Sequence, residues 1–192
     1  MRKLTRSDIK TNEEYANERE DRRRRIIALK KLRRVEVGDR LSLNFENRET
    51  VAYQIQEMMR VEKIIDESKI QFEIDIYNSL IPETDALSAT MFIEIKESAD
   101  MRAILDSLQG LDQPGSVYIR IDGEEIPAEF EPGHSREDRI SAVHYVTFRF
   151  TKDQIRKFLD AGLEIHVRHP AYQAKAAFTA EQRRELIKDF LQ

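Results

Sequence analysis

The 192-residue chain contains no cysteine. That excludes disulfides, a thiol nucleophile, thiolate metal ligands and an iron–sulfur cluster held by its own side chains. Glycine is scarce, at six residues. No GxGxxG, GxxxxGK[ST] or GxSxG pattern occurs, so phosphate-cradling loops and a nucleophile elbow have little raw material. No apolar run approaches the ~18 residues that a membrane-spanning helix needs. The opening stretch MRKLTRSDIKTNEEY starts basic but has no apolar segment after it, which predicts no signal peptide. With the missing cysteine, this favours a cytoplasmic location.

What is present is charge. Asp, Glu, Lys and Arg make up 35% of the chain against 40% hydrophobic residues, above the usual charged quarter. The formal net charge of −4 is unevenly spread: residues 1–40 carry 14 Lys and Arg against 8 Asp and Glu. The remainder is therefore strongly acidic. Length and this asymmetry predict a charged helical arm over 1–40 and a single α+β domain over 41–192.

The spacing predicts a long, mostly exposed helix from Asn12 to about Arg34, opened by a Thr11–Glu14 capping box and anchored by its second half. LSLNFE (Leu41–Glu46) alternates as a strand with one buried face. Asn47 then caps a helix to about Asp66 with an apolar stripe of Val51, Ile55, Met58, Val61 and Ile65. A second helix, capped by Ser68, buries Ile70, Ile74, Tyr77 and Ile81. Beyond it the chain is β-rich, with a strand over Leu87–Lys96 and a helix from about Ala99 to Leu108. An Asp-Gly hairpin lies in VYIRIDGEEIPAEF, and a loop covers Glu131–Asp138. Ile140–Phe150 is a long strand, and Thr151 caps a short helix. Strands over Leu163–His169 and Tyr172–Phe178 precede a final helix opened by Thr179 and Gln182. The sum is an α+β fold: a largely antiparallel sheet of about six or seven strands, with helices packed on one face and the long N-terminal helix added.

Candidate chemistry rests on a few polar residues. Strand alternation turns His144 and His169 inward and His166 outward, and leaves His134 exposed in its loop. An inward imidazole needs partners for its nitrogens. Either backbone carbonyls and carboxylates supply them, or the two rings share a polar pocket with Glu46, Glu57 and Arg60. Glu57 and Arg60 form an i,i+3 pair beside the apolar stripe. His144, His169 and Glu57 are then the weak candidates for a divalent metal, although no HxxxH or HExxH spacing supports one and no cofactor is predicted. The run DRRRRIIALKKLRR raises polyanion binding through Arg22, Arg23, Arg24, Arg25, Lys30, Lys31, Arg33 and Arg34. These residues spread around the helix instead of forming one stripe, and no nucleic-acid-binding motif accompanies them. A solvated helix, or one paired with acidic surface of its own or a second subunit, fits better. Amphipathic membrane docking fits less well, because large apolar residues on the opposite face are too few, and no membrane partner is expected.

Several stretches in order, KLTRSDI, RIIALKKLRRVEVGDRLSLNFENRETVAYQIQEMMRVEKI, YNSLIP, SAVHYVTFRF and HPAY, together span nearly the whole chain. They resemble a family of uncharacterised bacterial proteins classed as a domain of unknown function, often encoded near rubrerythrin-like and iron–sulfur oxidoreductase proteins. The resemblance implies a place beside a redox or peroxide-defence system and supplies no catalytic residue. The leading expectation is an accessory or protein-interaction domain, working with a protein partner or as a homo-oligomer and leaning away from enzymatic activity. The rivals are a small-molecule or metal site in the His/Glu pocket, and polyanion binding by the N-terminal helix.

Overall fold

A computed structural model describes residues 1–95, 101–133, 135 and 140–191. The described residues form six α-helices and nine strands. Thr11 opens α1 (Asn12–Arg33) with the expected reciprocal bonds: its hydroxyl accepts from the Glu14 N–H, and the Glu14 carboxylate accepts from the Thr11 N–H. Strands β1 (Arg34–Val37) and β2 (Leu41–Glu46) follow, then α2 (Arg48–Val61), α3 (Glu67–Tyr77) and β3 (Ala86–Ile93). Next come α4 (Met101–Ser107), β4 (Val117–Ile121), β5 (Glu124–Pro127), β6 (Glu129–Phe130) and β7 (Val143–Arg149). The chain ends with α5 (Lys152–Lys157), β8 (Leu163–His169), β9 (Tyr172–Ala177) and α6 (Ala180–Leu186). Asp122 and Gly123 join β4 to β5 with φ of 50° and 86°, the positive-φ pair that a two-residue type I′ hairpin requires. Among the described residues no helix is long and apolar enough to cross a membrane.

Every strand pairing is antiparallel, in two sheets ordered β1-β2-β3-β7-β6 and β5-β4-β8-β9. The two sheets are joined because β5 and β6 are halves of one bent segment. On one side the Ala128 N–H donates to the Val117 carbonyl at 2.9 Å, and on the other the Glu131 N–H donates to the Tyr145 carbonyl at 2.9 Å. With those halves counted as one, eight strands wrap into a nearly closed barrel. The open seam lies between β1 and β9. There the Tyr172 hydroxyl donates to the Val37 carbonyl at 2.7 Å and accepts from the Arg40 N–H at 3.2 Å. Gly38 serves that seam twice over: its φ is +69°, and a Cβ there would stand 2.2 Å from the Tyr172 oxygen.

The barrel interior is packed with side chains and is no channel. Leu43, Phe45, Leu87, Met91, Ile119, Val146, Phe148 and Ile165 belong to one core, which Leu105, Leu108, Phe158 and Leu186 extend. A second core lies on helices α2 and α3. There Val51, Ile55, Met59, Ile70 and Ile74 pack with Leu4 and Ile9 of the N-terminal arm.

The antiparallel α+β class holds, but the strand number and arrangement differ from expectation. The two extra strands are β1, which follows α1 with no turn signal between them, and β6, only two residues long. Segment 1–40, read as a helical arm, therefore contributes a strand to the barrel. The stripe expected on α2 also shifts. The helix stops at Val61, and Lys63 takes a positive φ of 53°. Ala52, Met59 and Ile64 are buried, while Val61 and Ile65 stand 64% and 82% exposed. Asp66, in place of Ser68, caps α3 by accepting from the Lys69 N–H at 3.1 Å. Half of the Glu131–Asp138 loop, His134 included, and the start of the helix expected from Ala99 lie outside the described residues.

Helix α1 is anchored at both ends, by Tyr15 and by Ile26 and Arg33. Arg33 is 1% exposed. Its Nε donates to the Phe45 carbonyl at 2.8 Å and its Nη2 to the Glu46 carbonyl at 3.1 Å, while its guanidinium pairs with Asp189 and, at 3.5 Å, with Glu185. Removing one partner of a buried ion pair leaves an uncompensated charge, at a cost of roughly 3–5 kcal/mol. Arg33→Met is therefore expected to lower the urea midpoint sharply. Arg33→Met combined with Asp189→Leu is expected to recover much of that loss in the same unfolding measurement.

Candidate functional site

The outer face of β2, β3 and β7 is where the polar residues of the sheet collect. Alternation turns Leu43, Phe45, Ala89, Met91, Val146 and Phe148 into the barrel core, which leaves Glu46, Thr90, Phe92, Val143 and Tyr145 on the opposite parity. Helix α2 covers part of this outer face. Its start is fixed by Asn47, whose side-chain oxygen accepts from the Glu49 and Thr50 N–H groups at 3.0 Å each, as the sequence leads one to expect. Gln56, fully buried, ties the N-terminal arm to the helix by accepting from the Lys10 N–H at 2.7 Å and donating to the Lys10 carbonyl at 3.1 Å.

Between the helices and the sheet lies a cleft of about 400 Å³. Tyr53, Gln54, Glu57, Met58 and Val61 of α2 form one wall, Tyr77 of α3 closes one side, and Thr90, Phe92, Val143 and Tyr145 form the sheet wall. Behind it sits Glu46, 1% exposed. Its carboxylate accepts from the Thr50 hydroxyl at 2.5 Å, the Thr90 hydroxyl at 2.9 Å and the Gln54 side-chain amide at 3.4 Å. Among the described residues no Lys, Arg or His pairs with it. Because Gln54 turns its NH₂ toward Glu46, its Oε1 is left buried, and no donor from the described residues reaches it.

Glu57 occupies the other end of the cleft and is saturated. Arg19 grips it with Nε at 2.8 Å and Nη2 at 3.0 Å, the Tyr15 hydroxyl donates at 2.7 Å, and the expected Arg60 contact is present at 3.1 Å. The Arg19 hydrogen bonds, helped by Tyr15 and Arg60 and opposed by burial, pull its carboxyl from the ordinary 4.5 to about 2. Tyr15 is pushed up, first by burial and then by Glu57. Burial likewise raises the phenols lining the cleft. Glu57 adds to the effect at Tyr53, Glu73 and Glu62 at Tyr77, and Glu131 and Glu46 at Tyr145.

The histidines lie elsewhere. His144 points into the barrel opposite Met91, with Nε2 at 2.8 Å from the Ser141 carbonyl and its ring edge-on to Phe130. His169, on the inward parity of β8, donates from Nε2 to the Gln109 carbonyl at 3.0 Å and accepts the Ala171 N–H at Nδ1 at 3.2 Å. That pair of bonds specifies the neutral, Nε2-protonated tautomer. His166 faces outward, stacked on Tyr118 and bonded to Glu164 at 3.0 Å. The five residues read as one pocket are thus divided by the sheet. Glu46, Glu57 and Arg60 belong to its outer side, and His144 and His169 to the barrel side. Glu46 follows the inward Phe45 in an alternating strand, so its parity opposes that of His144. Among the described residues no group of three or more His, Asp or Glu is placed to hold a metal.

The basic run is also divided. Arg33 is in the core, Arg34 pairs with Glu94 at 2.6 Å, Arg25 with Glu49 at 2.5 Å, and Arg24 with Asp21. Arg22 lies over the Tyr15 ring at 6.0 Å. Arg23 and Lys31 are exposed and Lys30 half-buried. A second cavity, of about 310 Å³, at the start of α2 is lined by Arg22, Arg25 and Arg48, with Asp8 and Glu49 among them. Its arginines are largely committed, since Arg48 pairs with Asp8 at 2.5 Å as Arg25 does with Glu49. The spacing of α2 sets Tyr53 on the same side as Glu57 and Arg60, but the sequence reading missed Arg19 and the roles of Tyr77, Phe92 and Tyr145 in the larger cleft. The one local signal was Tyr15 and Arg19, four residues apart and so on one face of α1.

These features define a small, nearly closed α+β barrel with a helical pair on its outside and an aromatic cleft beneath that pair. The chain belongs to the family described as protein of unknown function DUF3501, whose profile matches residues 3–190. A crystal structure described as a novel protein of unknown function from Burkholderia pseudomallei K96243 is 36% identical, with a TM-score of 0.90, over 98% of this chain and 99% of that one. No curated protein matches the chain.

The Glu57 cluster makes a pH-dependent contribution to stability. A carboxyl held below its unfolded value stabilises the fold above that value and loses the contribution as pH falls through the folded one. The window here runs from 4.5 down to about 2. Glu57→Gln should cost about 1–3 kcal/mol at pH 7, the penalty of a charge-assisted hydrogen-bond partner removed. In denaturant titrations the gap between parent and variant should close as pH drops across that window.

Proposed function

We propose that this chain is a binding protein for a small organic molecule, with the cleft between α2, α3 and the outer face of β3 and β7 as its site. One observation carries the reading: a cleft of about 400 Å³ whose walls are mainly aromatic and aliphatic, with a few convergent polar groups in Gln54, Glu57 and Thr90. Ligand sites have that composition and size, a mostly apolar lining with sparse, fixed polar groups. The carboxylates read earlier as pocket residues support this reading in part, since Glu46 and Glu57 both adjoin the cleft. An accessory role beside a redox or peroxide-defence system belongs to the same proposal and rests on the family resemblance alone, and a cytoplasmic location rests on the absence of cysteine and of a signal-like apolar segment.

A second reading, contact with a protein partner or a second copy, is favoured by one feature of the same helical pair. Phe72 and Ile76 of α3 are 62% and 49% exposed, and Val61 and Ile65 lie exposed where the two helices join.

The uncharged fluorophore N-phenyl-1-naphthylamine tests the first reading. Its emission should rise saturably with the parent protein at one site per chain. Val143→Trp, which fills the cleft from the sheet side, should abolish the rise with the circular dichroism spectrum unchanged. No rise with the parent, or an equal rise with the filled variant, overturns the proposal.

A further inference from the structure

Resting on that reading, we infer that the ligand of the cleft is an organic ammonium ion, a protonated amine carried on an apolar or aromatic body. The argument begins with Glu46. A carboxylate removed from water is normally paired with a cation. Glu46 is 1% exposed, and among the described residues it has hydroxyl and amide donors but no cationic partner. One of its oxygens, Oε1, accepts from both Thr90 and Gln54, and both of these residues line the cleft. The carboxylate therefore stands one hydroxyl behind the wall, where the low local dielectric lets its field reach into the cleft.

The second observation is independent of the first. The orientation of the Gln54 amide is dictated by Glu46, because exchanging its O and N would set two acceptors against each other. Its Oε1 is left as a buried acceptor in the cleft wall with no donor from the described residues. Leaving a buried acceptor unmet is costly, and a ligand N–H relieves that cost where a carboxylate or ether would not.

The third is the walls. Tyr53, Tyr77, Phe92 and Tyr145 contribute four rings to one cleft, and aromatic faces attract cations through their quadrupoles. Charge is also divided along the cleft. Arg19 and Arg60 lie at the Glu57 end and are both bonded to that carboxylate. The end formed by Tyr77 and Tyr145 feels Glu46, Glu62, Glu73 and Glu131. The ammonium head goes to this acidic end, and the body lies along Met58, Val61 and Val143.

Three probes of one shape separate charge from hydrophobic fit: 2-phenylethylammonium, 2-phenylethanol and phenylacetate, each titrated calorimetrically into the parent protein at neutral pH. The ammonium is expected to bind at least about tenfold more tightly than the alcohol, a ratio that corresponds to one modest ionic or cation–π contribution. Phenylacetate is expected to bind weakest, and added salt should narrow the spread. Glu46→Gln should bring the ratio of ammonium to alcohol affinity down toward one. Should that variant fail to fold, Phe92→Leu serves in its place and should weaken the ammonium more than the alcohol. Equal binding of ammonium and alcohol, or binding of none of the three by a protein that still takes up the naphthylamine, overturns this inference and leaves the binding reading intact. Failure to take up the naphthylamine removes both.

Discussion

The Arg33 guanidinium is the constraint on which the arrangement of this molecule turns. It sits where the first helix ends and the barrel begins, and it is held by Asp189 and Glu185 from the far end of the chain. Its remaining donors go to the carbonyls of Phe45 and Glu46, the last two residues of β2. One buried side chain thus fixes the close of the second strand relative to the end of α1 and to the C-terminal segment. Fixing those carbonyls also fixes which way each side chain leaves the strand, so Phe45 enters the core and Glu46 passes to the outer face beneath α2. A surface salt bridge could not do this, since exposed pairs hold their geometry only loosely.

Much of this fold can be read directly from residue order. The capping boxes at Thr11, Thr151 and Thr179 are all present, because each depends only on residues three apart. The Asp122–Gly123 hairpin is equally local. The inward parity of His144 and His169 follows from strand alternation, and the structure buries both. What residue order hides is non-local. Closure of the barrel depends on Tyr172 reaching Val37 across 135 residues, and Pro127 marks the bend at Ala128 without showing that the two halves pair with different sheets. A two-residue strand such as β6 has too few positions to show a period.

The candidate site divides along the same line. Alternation through LSLNFE already sets Glu46 opposite to Leu41, Leu43 and Phe45, so its separation from the inward histidines was implicit in the pattern that buried them. Linking them required ignoring that the sheet lies between. The partners of Glu57 were hidden for another reason. Arg60 is a near neighbour in sequence and is found in place, but the bidentate Arg19 and the Tyr15 hydroxyl come from a different helix, 38 and 42 residues away. The cleft itself is built from α2, α3, β3 and β7, and no window of the sequence contains it.

The charge asymmetry of the chain finds its explanation within the chain. The basic surplus of residues 1–40 is the feature that raised an external polyanion. In the fold it is met by carboxylates of the acidic remainder: Glu49 takes Arg25, Glu57 takes Arg19, Glu94 takes Arg34, and Asp189 takes Arg33. The arm and the barrel are electrostatic complements, and pairing them consumes charge from both sides. Against that background Glu46 stands apart: it is buried as deeply as Arg33, yet hydroxyls and an amide hold it where a cation would be expected. Among the described residues, Glu46 is the deep carboxylate that the arm's arginines do not reach, and its hydrogen bonds come from Thr50, Thr90 and Gln54 instead.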